Sequence, residues 1–430
     1  MTEMNTPRHG SLIVTARSIE EGMAFPGGGH EVEHGSSTVT DPVEQAHLQK
    51  RFNAILQQLK DKTQELEPTI LATLDDRTVS RFQSFLAKEA TASKVLETGG
   101  EEAQFGTGLG GGDKWGWTKS LLDWVNRDEA CAIKRPKSNK PEPIGNTFKV
   151  AMVSDWGTGM YGAPVSAETI RQSAPYDLLL HLGDVYYSGT KEEVRERFLN
   201  VWPTDAGKIS RALNSNHEMY SGGDGYFELT LPAFKQDASY WALRNNYWLL
   251  LGLDTAYVDH EIDAQQLEWI NSVIKAAGNT KIVLFTHHQP FSRLDKQGPR
   301  LVEALSGWLA QGLVKAWYWG HEHECIVYDK HPLFGFEGRC LGNGGVPEPR
   351  KKDVTTAPLH KSIGDVKWKE LSANDDSPAC IVLDGPNQYI PGEESKFGPH
   401  GFMTLEFNGP VLQEFVRMPD GSELFKKAIT

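Results

Sequence analysis

Long apolar runs are missing from this 430-residue chain, and so is any excess of positive charge. No segment approaches the ~20 consecutive apolar residues of a membrane-spanning helix. The opening residues, MTEMNTPRHGSLIVTARSIEEG, lack the apolar core of a secretory signal, so the expected setting is cytoplasmic. A formal net charge of −13 offers no basic face to nucleic acid or to an anionic membrane, and neither is expected as a partner. Cysteine is scarce: Cys131, Cys325, Cys340 and Cys380 are scattered, with no CxxC pair. That pattern reads as unpaired thiols of a reducing compartment, not as a disulfide framework or a zinc–thiolate cluster.

What is present falls into two textures. Residues 1–40 are rich in Gly, Ser, Thr and His and read as a flexible tail. Over 41–98 a helical, hairpin-like extension is expected. Asp41-Pro42 supplies an N-cap and first helical residue, Leu48, Phe52, Ile55 and Leu59 line one face, and Val79, Phe82, Phe85 and Leu86 mark a second helix. Its expected role is a scaffold, or a docking element for a protein partner. Residues 99–145 form a Gly/Pro-rich linker with one short helix, WGWTKSLLDWV.

From 146 to 430 the chain alternates strands and helices. FKVAMVSD, DLLLHLGD, YWLLLGLDT, KIVLFTHH and VKAWYWGH are short apolar runs that each stop at a polar residue. Between them, DAQQLEWINSVIKAAGN carries a D-x-x-Q capping box at Asp263 and Gln266 and a closing Gly278. Such alternation specifies an α/β fold with a parallel or mixed sheet, in which ligands gather at the carboxyl ends of the strands.

Asp155, Asp184, Asn216-His217, His287-His288, and His321 with His323 stand at those ends. Alone, each is bland: a strand-end Asp usually caps a turn. Together they are carboxylate, imidazole and amide oxygen, the donor set of hard or borderline cations. The spacing of Asp155 and Asp184 fits one βαβ unit, which sets the two carboxylates on neighbouring strands.

In this order the residues resemble the calcineurin-like metallophosphoesterases, whose motifs run D-x-H, G-D-x-x, G-N-H-D/E, H and G-H-x-H. Here they read Asp155-Trp156-Gly157, Gly183-Asp184, Asn216-His217-Glu218, His287-His288 and Gly320-His321-Glu322-His323. Gly157 in place of the first histidine, with Tyr187 three residues after Asp184, looks like the purple acid phosphatase branch. Ser215 replaces the usual glycine before Asn216.

The resemblance implies a metallophosphoesterase-type αββα sandwich, two mixed sheets flanked by helices, with the N-terminal helical extension added. It implies two metal ions, Fe with Fe, Zn or Mn. Asp155, Tyr187 and His323 would hold the first, Asp184 would bridge, and Asn216, His321 and one of His287 and His288 (His287 preferred) would hold the second. A metal-bound hydroxide would attack phosphorus, and His217 would protonate the leaving group, oriented by Asp184 or Glu218; a surface position for Glu218 is the equal alternative. His217 and His400 are the expected substrate contacts, with Tyr186 and Tyr220 as further candidates, while His181 reads as a buried core residue. The expected activity is that of a phosphomonoesterase of acid-phosphatase type on a small phosphorylated substrate or a phosphoprotein. The alternatives are a phosphodiesterase acting on small or cyclic nucleotide-like diesters, and a non-enzymatic scaffold of the same fold.

Overall fold

The computed structural model describes residues 130–430, except Tyr187, Asp259, residues 295–299 and Glu393. The chain divides into two units after Glu129. The expected tail and helical extension, and most of the expected linker, lie outside the described residues. So does Tyr187.

Among the described residues the first strands in chain order are β1 (Glu142–Pro143), β2 (Thr147–Val153), β3 (Tyr176–His181), β4 (Gly207–Ala212), β5 (Trp241–Arg244), β6 (Trp248–Gly252), β7 (Lys281–Phe285) and β8 (Val314–Trp319). The chain continues with β9 (Cys325–Tyr328), β10 (Glu337–Leu341), β11 (Leu359–Ile363), β12 (Val366–Leu371), β13 (Cys380–Asp384), β14 (Phe402–Asn408), β15 (Val411–Arg417) and β16 (Glu423–Ile429). They form a six-stranded sheet, β16-β15-β14-β2-β3-β4, and a ten-stranded sheet, β1-β5-β6-β7-β8-β10-β9-β13-β12-β11. Both are mixed: β2, β3 and β4 run parallel, as do β6, β7, β8 and β10, while β14 against β2, β5 against β6 and β9 against β10 pair antiparallel.

Alternation within each strand builds the layers. In β2, Val150 and Met152 face the second sheet, where they meet Trp248, Leu250, Val283 and Phe285, while Ala151 and Val153 face outward. From Val150 to Val153 both faces are buried, so that half of the strand reads as continuously apolar. The outer face of the six-stranded sheet is covered by helix α1 (Gly162–Gln172), which buries Ala163, Ser166, Ala167 and Ile170, a stripe of helical period. The ten-stranded sheet is covered by α2 (Ala264–Ala277) and α3 (Arg300–Leu309) through Ile270, Val273, Ile274, Leu301, Leu305 and Leu309. Each such aliphatic side chain contributes about 1.5–3 kcal/mol by leaving water. The layers are helix, sheet, sheet, helix, as the resemblance implies.

One polar bolt joins the two sheets. Arg339 on β10 donates to Glu414 on β15 through both Nε (3.0 Å) and Nη2 (2.6 Å), and Tyr318 donates to the other Glu414 oxygen at 2.9 Å. All three side chains are buried. Removing one partner of such a pair strands a charge in the core, which costs about 3–5 kcal/mol.

The caps of α2 also appear. Asp263 accepts the Gln266 backbone N–H at 2.9 Å, and Gly278 ends the helix at φ 62°. The Gln266 side chain does something else: it holds the Asp254 backbone on both sides, accepting from N–H at 2.9 Å and donating to C=O at 2.7 Å. The start of the α2 helix thereby fixes the loop that leaves β6.

Candidate metal centre

The parallel strands of both sheets deliver their carboxyl ends to one place. Asp155 follows β2, Asp184 follows β3 and Asn216 follows β4; His287 follows β7, and His321 and His323 follow β8. Asp155, Asp184, His321 and His323 all have positive φ, between 53° and 73°. Non-glycine residues rarely adopt that conformation, and it turns these side chains abruptly off their strands. Glycine makes room beside them. A Cβ on Gly183 (φ 111°) would come within 2.7 Å of Ser215 and 2.8 Å of the His287 ring, and one on Gly320 would strike Ser154 and Asp155.

Two donor groups result, with Asp184 in both: Asp155, Asp184 and His323, and Asp184, His287 and His321. The Asp184 carboxylate is split between them. Its Oδ1 lies 3.3 Å from His287 Nε2, and its Oδ2 lies 3.7 Å from His323 Nε2. Neither oxygen has a hydrogen-bond partner, although both are buried. His323 Nε2 is also 3.4 Å from Asp155 Oδ1. Asn216 joins the second group through Oδ1, 2.9 Å from His287 Nε2 and 3.2 Å from His321 Nδ1. Its amide nitrogen donates to Tyr220 Oη at 3.0 Å, so the carbonyl oxygen faces the donors.

The imidazoles are oriented from behind. His287 Nδ1 meets the Leu182 carbonyl at 2.9 Å, and His323 Nδ1 meets Glu348 Oε2 at 3.4 Å. A carbonyl or carboxylate behind a ring leaves its other nitrogen free to ligate. Of the adjacent pair, His287 is the one beside Asp184; His288 is grouped with His260 and His321 instead.

The electrostatics suit cations. Burial and the neighbouring Asp184 charge push the Asp155 carboxyl well above its ordinary range. Burial opposes charge on Asp184 too, but His287, His217 and His323 hold its carboxyl well below the usual range. Burial lowers His287, whereas the Asp184, Glu348 and Asp155 carboxylates outweigh burial at His323 and raise it well above normal. Two buried carboxylates side by side cannot both ionise cheaply unless positive charge arrives. The orphaned oxygens of Asp184 and the oxygen–nitrogen donor set both fit a pair of metal ions.

Other expected residues fall in different settings. His217 is buried, stacked on Tyr186 with ring centroids 3.8 Å apart, and tilted against Tyr220. Tyr186 Oη lies 2.8 Å from His323 Nε2, at the first group. Glu218 is buried and not on the surface: it accepts the backbone N–H groups of Asp184 and Val185, each at 3.2 Å, and a hydrogen bond from Ser215 Oγ. Burial and the Asp184 charge push its pKa up to about 8. Ser215 sits in extended backbone at φ −137°, where glycine is not required, and its hydroxyl accepts the Asp184 N–H at 3.1 Å. At Gly157 (φ 64°) a Cβ would approach Gly345 O and Val346 at 3.2 Å, a tight fit for any side chain in a conformation that favours glycine. His400 lies in neither donor group; it is buried, and its Nδ1 accepts the Gly162 N–H at the start of α1. His181 is buried against Phe198, 4.4 Å between centroids. Sequence reasoning passed over His260, Thr255 and Glu348. A hint existed only for the first two, which follow the apolar run of β6.

Among the described residues no helix is long and apolar enough to cross a membrane. No curated protein matches the chain. Similar solved structures include a purple acid phosphatase from yellow lupin (Lupinus luteus) seeds, with 14% identity and TM-score 0.47 over 68% of this chain. This chain spans 55% of the lupin protein's length. Another is GAP50, the anchor in the inner membrane complex of Plasmodium, with 12% identity, TM-score 0.46, 66% of this chain and 89% of that one. A third is a dimetal phosphatase from Danio rerio, with 13% identity, TM-score 0.39, 66% of this chain and 98% of that one. The model of the calcineurin-like phosphoesterase family matches residues 148–325, which span every donor described above, and the chain therefore carries a calcineurin-like phosphoesterase domain.

Proposed function

We propose that this protein hydrolyses phosphate monoesters at a two-metal centre, in the manner of an acid phosphatase. The observation that carries the reading is Asp184, whose two buried, orphaned oxygens face two different donor groups. Asp155, His323 and, by its spacing, Tyr187 would hold one ion, and Asn216, His287 and His321 the other. Two bound cations supply a Lewis-acid clamp for phosphate oxygens and acidify water. The chain's own residues do the rest. Glu218 fixes the Asp184 backbone, Leu182 and Glu348 orient His287 and His323, and Tyr220 aims the Asn216 carbonyl. His217, held flat against Tyr186, is the proton source for the leaving oxygen. The local positive charge of the ions would offset the chain's net charge of −13 for an anionic substrate.

The test is metal analysis of the full chain purified without chelator, with turnover of p-nitrophenyl phosphate and of bis-p-nitrophenyl phosphate. Asp184→Asn should lose the paired ions and monoester turnover together. Wild-type protein that binds no metal, or that cleaves only the diester, contradicts the reading. A visible tyrosinate–iron(III) band lost in Tyr187→Phe would mark the purple type, and a colourless active enzyme would exclude it.

A further inference from the structure

We propose that His260, His288 and His321 form a third cation site, suited to a borderline divalent ion such as Zn2+ and adjoining the paired centre through His321. One nitrogen from each ring lies within 4.8 Å of the others. The ring centroids are 3.8 Å apart for His260 and His288, 4.7 Å for His288 and His321, and 5.3 Å for His260 and His321. Three imidazole rings with an open fourth position favour zinc and its neighbours over the oxygen-loving Mg2+ and Ca2+.

Two further features point to a ligand. His288 is fully buried, and its Nδ1 meets the Thr255 hydroxyl at 3.0 Å, the anchoring found behind ligating imidazoles, so Nε2 is the nitrogen presented. Thr255 in turn belongs to the loop that Gln266 clamps at Asp254. The second feature is backbone strain: His260 and His321 both hold positive φ, 59° and 70°. Histidine enters that conformation more readily than most side chains, yet it still costs on the order of 1 kcal/mol or more and collects at functional sites. His321 turns Nδ1 toward Asn216 and His287, so the third ion would take its other nitrogen.

The experiment is zinc stoichiometry of the full chain, after equilibration with Zn2+ and removal of loosely held metal, for wild type, His260→Ala, His260→Gln and Asp184→Asn. The third site predicts about three equivalents in wild type and about two in either His260 variant. Asp184→Asn should keep the ion held by the three histidines. Equal stoichiometry in wild type and both His260 variants overturns the proposal. A fall from about two to about one in those variants also overturns it, because His260 would then serve the paired centre. Failure of the two-metal reading looks different: Asp184→Asn would match wild type while the His260 variants still lost an ion. Thr255→Val keeps all three rings and should weaken the third ion by about 10-fold or more; an unchanged affinity counts against the site.

Discussion

Glu218 holds Asp184 by its backbone. One carboxylate oxygen accepts the Asp184 N–H, and the other accepts the Val185 N–H, each at 3.2 Å. The residue that ends the Asn-His-Glu motif thus acts on the strand end that carries the shared carboxylate, rather than on a substrate.

Replacing Glu218 with Ala should leave the buried Val185 N–H without its acceptor, at a cost on the order of 2 kcal/mol in denaturant unfolding. Glu218→Gln offers one acceptor oxygen where two are used, so it should fall between. Both should loosen metal binding about 10–100-fold by freeing the Asp184 loop. A variant as stable and as tightly metallated as wild type would show that this contact is incidental.

His217 is placed to give a proton to the leaving group. His217→Ala should keep its metal content and lose about 10²–10⁴-fold in kcat on an alkyl phosphate, with a much smaller loss on p-nitrophenyl phosphate. Equal losses on both substrates would remove it from that role.

Glu348 stands 3.4 Å behind His323, and Lys351 lies 3.6 Å from the same carboxylate. Glu348→Gln keeps the shape and removes the charge, so affinity for the first ion should fall about 10-fold or more. Competition with a chelator reads this directly, and an affinity within twofold of wild type would count against it.

Acid should destabilise the fold through two buried histidines. Burial depresses His181 from 6.5 to about 3, against a smaller opposing pull from Asp184. Burial likewise depresses His400 to about 4, against the backbone of Val346. Because the folded pKa values lie below the unfolded one, this stability is complete above pH 6.5 and is lost as pH falls toward 4 and then 3. For His400 the loss is on the order of 3 kcal/mol. Melting temperatures of wild type, His400→Asn and His181→Phe between pH 7 and 4 should show shallower acid slopes in the variants; parallel curves would refute the assignment.

The α/β layering and the chain order of the donors are legible in the residues alone. Both follow from local rules: apolar runs that stop at a polar residue become strands with functional ends, and capping residues such as Asp263 and Gly278 bound their helix within a few positions. Which nitrogen or oxygen faces which neighbour is set by the folded arrangement. Nothing in HHQP separates His287 from His288; the division arises because one ring meets the Leu182 carbonyl and the other the Thr255 hydroxyl. The burial of Glu218 depends on the loop after β3 lying over it. His260 comes beside His288 and His321 because β6, β7 and β8 run parallel, side by side, and Gln266 ties down the loop that follows β6. The Arg339–Glu414 pair joins residues 75 apart in sequence across two sheets. Local patterning reports the period of burial along a chain. It holds no information about which distant group a side chain will meet, since that is set by sheet order and packing.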